Sequence, residues 1–217
     1  MATLLQIDAS ARVTRSLSRG LTSAFTEHWL EKRPNDTIIK RDVGLNPPPA
    51  ISEAWIAAAF TTLEKRTLEQ QDALKISDEL LQELEPADLL IIGTPMYNYG
   101  MPAALKAWID QVIRIGRTFS FDLNRGEQPI EPILTGKRLV ILSSSGEGGF
   151  EVGGAHETMN HLEPHIVTAS WLLGVSEHHV IRIEYQEFGD ERHQESIKAA
   201  HEAIPKLVEQ LTQQLAA

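Results

Sequence analysis

The sequence contains no cysteine in 217 residues. Disulfides, thiolate nucleophiles and cysteine-ligated metals are therefore excluded, and a reducing compartment is compatible with the chain. Positive charge is also scarce. Twenty lysines and arginines stand against 30 aspartates and glutamates, a formal net charge of −10 at pH 7. A general nucleic-acid binder needs a basic footprint to displace counterions, so that class is excluded, although a local basic pocket for an anion is not. No uninterrupted apolar run approaches the roughly 20 residues of a membrane helix. The amino terminus, MATLLQID, lacks the basic segment and long apolar core of a signal peptide. The cytoplasm is the expected location. No internal repeat, low-complexity tract or linker is visible, so one domain over residues 1–217 is expected.

The apolar fraction is 42% and the charged fraction 23%, ordinary for a soluble fold with a substantial core. Strand and helix patterns alternate from end to end. Strands are expected over residues 3–8, 37–41, 88–93, 137–142 and 180–183. The first helix is expected over about residues 16–33, with Leu17, Leu21, Ala24, Phe25 and His28 inward. Asn46-Pro47-Pro48-Pro49 reads as a rigid turn before Ser52, a good helix cap. Two faces follow, one marked by Ile56, Ala59, Phe60, Leu63 and Thr67, the other by Leu74, Ser77, Leu81 and Leu84. A helix after Pro102 carries Leu105, Trp108, Ile109, Val112 and Ile113 on one side. Residues 155–173 read as mainly helix despite Pro164. The last helix, about 190–215, buries Ile197, Ala200, Ile204, Val208, Leu211 and Leu215. Strands separated by helices imply an α/β fold: a five-stranded parallel sheet with helices on both faces.

Three loops follow strands and so share one sheet edge, where open α/β sheets bind ligands. The first contains Ser10, Arg12, Thr14, Arg15, Ser16, Leu17 and Ser18. Hydroxyls, backbone donors and a helix amino terminus suit a phosphate, with charge available from Arg12 and Arg15. Plain helix capping by Ser16 or Ser18 accounts for the same residues. The second loop, between Pro95 and Pro102, holds Met96, Tyr97, Asn98, Tyr99, Gly100 and Met101. It suits the face and edge of a flat aromatic ligand; the alternative is a plug for the end of the core. The third runs Ser143-Ser144-Ser145-Gly146-Glu147-Gly148-Gly149. It allows close backbone approach and can form an anion-binding nest, or it is a flexible connector. It lacks the glycine-flanked serine of a hydrolase elbow. Together the loops match flavin mononucleotide (FMN), a phosphate dianion at one end and a tricyclic ring with a polar rim at the other.

Ser10 with Ser16-Leu17-Ser18, and Pro95-Met96-Tyr97-Asn98-Tyr99, resemble the flavodoxin-like FMN-dependent NADH-azoreductases, a family of azo and quinone oxidoreductases. The resemblance covers nearly the whole chain, including Asn46-Pro47-Pro48-Pro49 and Leu105-Lys106-Ala107-Trp108-Ile109-Asp110. It implies that Ser10, Ser16, Leu17 and Ser18 hold the FMN phosphate. Met96, Tyr97, Asn98 and Tyr99 would line the isoalloxazine, with the Asn98 amide near N5. Ser144, Ser145, Gly146 and Glu147 would follow the pyrimidine edge. The third loop departs from the family's Ser-Arg-Gly-Gly pattern, with Ser145 and Glu147 where arginine and glycine are common. The resemblance also implies a homodimer with its active sites at the interface, and Phe119, Phe121, Phe150 and Trp171 as candidates for the wall over the flavin.

The expected chemistry is hydride transfer from NADH or NADPH to flavin N5, then to a quinone or azo acceptor in a ping-pong cycle. Donors near flavin N1 and O2 stabilise the charge that reduction leaves. No side-chain acid or base is required, and no catalytic residue or metal ligand is nominated. One rival reading is a non-enzymatic flavodoxin-type electron carrier. A metal-dependent hydrolase is another, but His161-Leu162-Glu163-Pro164-His165 lacks the glutamate directly after the first histidine of a zinc protease motif. A serine hydrolase using Ser144 has no supporting elbow.

Overall fold

A computed structural model describes residues 1–215. Its principal sheet has five strands: β1 (Thr3–Asp8), β2 (Thr37–Asp42), β3 (Leu89–Pro95), β6 (Lys137–Ser144) and β7 (Val175–Ile183). They run in the order β2-β1-β3-β6-β7, and every pairing between them is parallel. The chain therefore leaves β1 toward one edge and crosses back to β3 on the other side. This reversal makes the β1/β3 junction the switch point of a doubly wound sheet.

The strands sort their side chains by the two-residue period. Leu5 and Ile7 of β1, Leu90 and Ile92 of β3, and Leu139 and Ile141 of β6 enter one core. It is closed by α3 (Leu68–Leu84), α4 (Ala103–Val112) and α5 (Glu163–Ser170). Leu4, Leu89, Ile91, Val140 and Leu142 enter the other. There α1 (Leu17–Lys32) and α6 (Glu191–Gln214) supply Leu21, Phe25, Trp29, Ile204, Val208 and Leu211. Because β3 is covered on both faces, its run of seven residues is buried throughout.

Several expectations shift. On α1, Trp29 is fully buried and His28 turns outward to Glu31. Leu21, Phe25 and Trp29 keep the four-residue spacing, and indole burial outweighs burial of a polar imidazole. The face through Ile56, Phe60 and Leu63 is not a core face. Helix α2 (Glu53–Ala59) buries Trp55, whose Nε1–H donates to Gln111 Oε1 at 2.9 Å, while Ile56, Phe60 and Leu63 are exposed. The helix stops at Ala59, so the residues beyond it leave its phase. Residues 155–162 are turns and a 3-10 segment rather than helix. Pro164 opens α5 instead of interrupting a longer helix, as its missing N–H allows. Strand β7 begins earlier than expected, and residues 119–132 contain a hairpin of β4 (Phe119–Phe121) and β5 (Ile130–Pro132).

Candidate functional site

The carboxyl ends of β1, β3, β6 and β7 each feed a loop, and the loops converge beside the switch point. The loop after β1 is anchored by Arg19 from the first turn of α1. Its Nη2 donates to Ser10 O at 2.7 Å and its Nε to Arg12 O at 2.9 Å. The same guanidinium forks onto both oxygens of Asp42, at 2.7 and 2.8 Å. That charge-assisted pair holds the Asp42 carboxyl below its ordinary range, chiefly through the hydrogen bond to Arg19. Gly44, just past β2, packs so tightly that a Cβ there would lie 2.1 Å from Ser10 O. Ser16 caps α1, its Oγ accepting from Arg19 N–H. The Leu17 and Ser18 N–H groups have no partner among the described residues, leaving them for an anion.

The loop after β3 is a tight reversal. Tyr97 and Gly100 exchange backbone hydrogen bonds of 2.9 and 3.0 Å, with Asn98 and Tyr99 at φ of 48° and 64°. Two central residues at positive φ define a type I′ turn. Asn98 adopts that backbone readily; Tyr99 does so under strain. The Tyr99 phenol faces Glu147, and hydrogen bonding to that carboxylate, then its charge, pushes the phenol pKa above the ordinary value. Met96 N–H donates to Ser144 O at 2.7 Å, tying this loop to the next. The Asn98 N–H has no partner among the described residues.

The loop after β6 uses its carbonyls to hold the loop after β7. Ser145, Gly146 and Glu147 carbonyls accept from the N–H groups of Gln186, Glu187 and Tyr185, at 3.2, 3.0 and 3.2 Å. The Gly146, Glu147 and Gly148 amides have no partner among the described residues, forming a run of free donors. Tyr185 lies over Gly148, where a Cβ would sit 2.2 Å from the ring. Beneath, the buried Glu163 carboxylate accepts from Ser143 Oγ at 2.7 Å and Arg182 Nε at 3.0 Å. His156 Nδ1 lies 2.7 Å from Gly148 O.

These loops enclose a cleft of about 580 Å³ bordered by Ser10, Ser16, Leu17, Met96, Tyr97, Asn98, Ser144, Ser145 and Gly146. A smaller adjoining space of about 240 Å³ adds Tyr99 and Glu147. Of the residues expected in the site, Ser18 borders neither; it is fully buried under the loop. Phe150 borders the smaller space, whereas Phe119, Phe121 and Trp171 border neither. Gln186 and Glu187 were missed. They follow the fifth expected strand at the same edge, so the strand-end rule that selected the other loops also points to them. The size suits a small-molecule or cofactor site. Arg12 and Arg15 with free helix-terminal amides stand at one end; Met96, Tyr97 and free amides of two loops stand at the other. The donor set fits FMN.

A family model described as a flavodoxin-like fold matches residues 2–208. An FMN-dependent NADH:quinone oxidoreductase of Colwellia psychrerythraea is 53% identical over 218 residues, covering 97% of this chain and 100% of that protein. An FMN-dependent NAD(P)H:quinone oxidoreductase of Pseudomonas aeruginosa is 42% identical over 205 residues, 94% of this chain and 97% of that one. Among solved structures, an FMN-dependent NADH-azoreductase from Bacillus anthracis, in complex with FMN, superposes with a TM-score of 0.84. It is 21% identical and covers 97% of this chain and 99% of that one, a likeness of fold.

Proposed function

The chain belongs to the flavodoxin-like family that these quinone oxidoreductases represent, and from that premise we propose that it is an FMN-dependent NAD(P)H oxidoreductase reducing quinones and azo compounds. The observation that carries the reading is the convergence of unpartnered backbone donors from three loops on one cleft at the sheet's switch point. Ser10, Ser16, Leu17 and Ser18 are assigned to the phosphate. Ser18 lies buried behind the first loop, its N–H without a partner among the described residues and its Oγ 3.5 Å from Ser16 Oγ. Met96, Tyr97, Asn98 and Tyr99 are assigned to the isoalloxazine, and Ser144, Ser145, Gly146 and Glu147 to its polar rim.

The chemistry FMN supplies when bound is two-electron hydride acceptance and donation. The protein's part is placement and electrostatics. Met96 is half-buried against the core and fixes the floor of the cleft. The Gly146 and Glu147 N–H groups are free to stabilise negative charge on the rim without reorganising, because their carbonyls already hold the neighbouring loop. The Asn98 N–H is assigned to N5. Tyr99 and Phe150 border the part of the cleft assigned to the ring, and a single ring face left open to nicotinamide and acceptor in turn would account for a ping-pong cycle.

Tyr97 and Tyr99 at the cleft, and Val152 and Met159 in the segment beyond the third loop, leave large apolar side chains exposed, the kind of surface that marks an interaction site. A second copy of the chain is proposed to cover it, giving a homodimer. No described helix is long and apolar enough to cross a membrane, and the cytoplasm is the proposed location. Steady-state kinetics of the FMN-loaded protein with NADH and a quinone as sole acceptor test the reading. Turnover with parallel double-reciprocal lines is expected; an FMN-loaded protein that does not turn over is a carrier instead.

A further inference from the structure

The cleft assigned to the cofactor is polarised by charge. Arg12 and Arg15 border its larger part, beside the free amides of α1. The smaller adjoining space has the opposite sign. Among the described residues its charged lining is Glu147 and Glu187 alone, and Glu187 also borders the larger part. Two carboxylates at the mouth of a walled cleft focus a negative potential there.

Both residues are held in place. Glu187 N–H donates to Gly146 O at 3.0 Å, and a Cβ on Gly146 would lie 2.8 Å from Glu187 Cγ, so the stem of Glu187 packs on the third loop. Glu147 is fixed through its own carbonyl, which accepts from Tyr185 N–H at 3.2 Å and Ser145 Oγ at 2.7 Å. Neither carboxylate forms an ion pair among the described residues. The cations closest along the chain are committed elsewhere, Arg182 to Glu163 at 3.0 Å and Arg192 to Asp190 at 2.6 Å. Arg192 also lies over the Tyr185 and Phe188 rings, 5.1 and 4.4 Å from their centroids. Tyr99 registers both acidic groups. Hydrogen bonding to Glu147 raises its pKa first, then the Glu147 charge, and the Glu187 charge adds to them.

On the reading that FMN occupies this cleft, its phosphate lies at the arginine end and a flat acceptor enters at the carboxylate end. Like charges brought together in such a gap repel, whereas a neutral or cationic ring meets no such penalty. Resting on that reading, we propose that Glu147 and Glu187 are specificity-determining residues that select acceptors by charge. The site takes neutral or cationic flat aromatic electrophiles and disfavours rings that carry a carboxylate or sulfonate. The two side chains act on approach and binding, without contact to the reacting atoms.

Equilibrium binding to the oxidised, FMN-saturated protein tests this, with flavin absorbance as the readout and no NADH present. The probes are N-methylquinolinium, quinoline and 2-naphthoate, flat bicyclic rings that differ in charge. At low ionic strength 2-naphthoate should bind roughly tenfold more weakly than quinoline, and N-methylquinolinium at least as tightly as quinoline. Salt at about 0.5 M should narrow that gap. Glu147→Gln and Glu187→Gln should each reduce it about threefold, and the two together should abolish it. Glu209→Gln, exposed near the far end of α6, changes the net charge equally and should leave the gap as it is. In turnover with NADH, the double variant should gain about tenfold in kcat/KM for 1,4-naphthoquinone-2-sulfonate relative to 1,4-naphthoquinone. FMN stoichiometry and the thermal midpoint report whether each variant is folded. The proposal is overturned if 2-naphthoate binds as tightly as N-methylquinolinium, if no probe binds saturably, or if the double variant keeps the gap. A chain that holds one FMN and reduces neutral quinones can show any of these, and the flavin reading then stands. A chain that takes up no FMN overturns both.

Discussion

Gly148 shows how closely one residue controls the site. A Cβ there would lie 2.2 Å from the Tyr185 ring, and Tyr185 N–H is bonded to Glu147 O. Gly148→Ala therefore forces the loop after β7 away from the loop after β6. The expected cost is about 1–3 kcal/mol in denaturant unfolding, together with weaker FMN binding in a fluorescence titration. Glu163 offers a second case. It is buried, with one oxygen serving Ser143 and Arg182 and the other without a partner. Arg182→Ala strands that carboxylate under the loop, for an expected loss of about 3 kcal/mol. Restoring stability with Glu163→Gln in the same chain would identify the stranded charge as the cause. At this scale the sequence was legible where chemistry and spacing coincide, as at Ser10, Ser16 and Asn98. It was not legible for Ser18, whose burial depends on β3 and α1 packing around it. Nor was it for Glu163, which reads as a surface acid until Arg182 arrives from β7.

Among the elements, α1 does most to shape the site. It presents its free amino-terminal amides to the cleft, and through Arg19 it fastens the first loop to the end of β2. Asp42 completes that fastening. Its carboxyl titrates lower in the folded chain than in the unfolded one, so it binds fewer protons when folded. The stabilisation is therefore present above the ordinary carboxylate range near pH 4 and is lost as pH falls through the folded value. Asp42→Asn is expected to cost about 1 kcal/mol at pH 7, where the pair is partly solvated, and to flatten this acid limb. FMN affinity measured against pH should decline at the acid end in the parent and less so in the variant. The strands were the most legible elements. β1 has the expected bounds, and the others share their cores with them, because apolar runs bounded by prolines, glycines and polar turns leave few readings. The helical reading of 155–162 failed because composition alone does not say whether a proline opens a helix or breaks one. The β4–β5 hairpin was not legible, since three-residue strands carry too little periodicity to detect.

For the whole molecule, the strand order decides function by bringing loops distant in sequence to one edge. Residues 9–16, 96–101, 145–149 and 184–189 meet only because the chain reverses at β1/β3. That parallel arrangement was legible from the alternation of strands and helices. The proposed dimer came from the family resemblance alone, because the exposure of Tyr97, Tyr99 and Val152 appears only once the fold is built. Light scattering should give twice the chain mass of 24.2 kDa. Ligand linkage supplies a further check: FMN at 100 times its dissociation constant should add about 2.7 kcal/mol to unfolding. The most direct measurement of the central claim is an FMN titration of flavin-free protein, followed by flavin fluorescence. Saturation at one FMN per chain is expected, with affinity reduced at least tenfold by Ser10→Ala combined with Ser16→Ala. A protein whose fluorescence signal never saturates, or whose affinity that pair of substitutions leaves unchanged, would contradict the assignment of these loops to the cofactor.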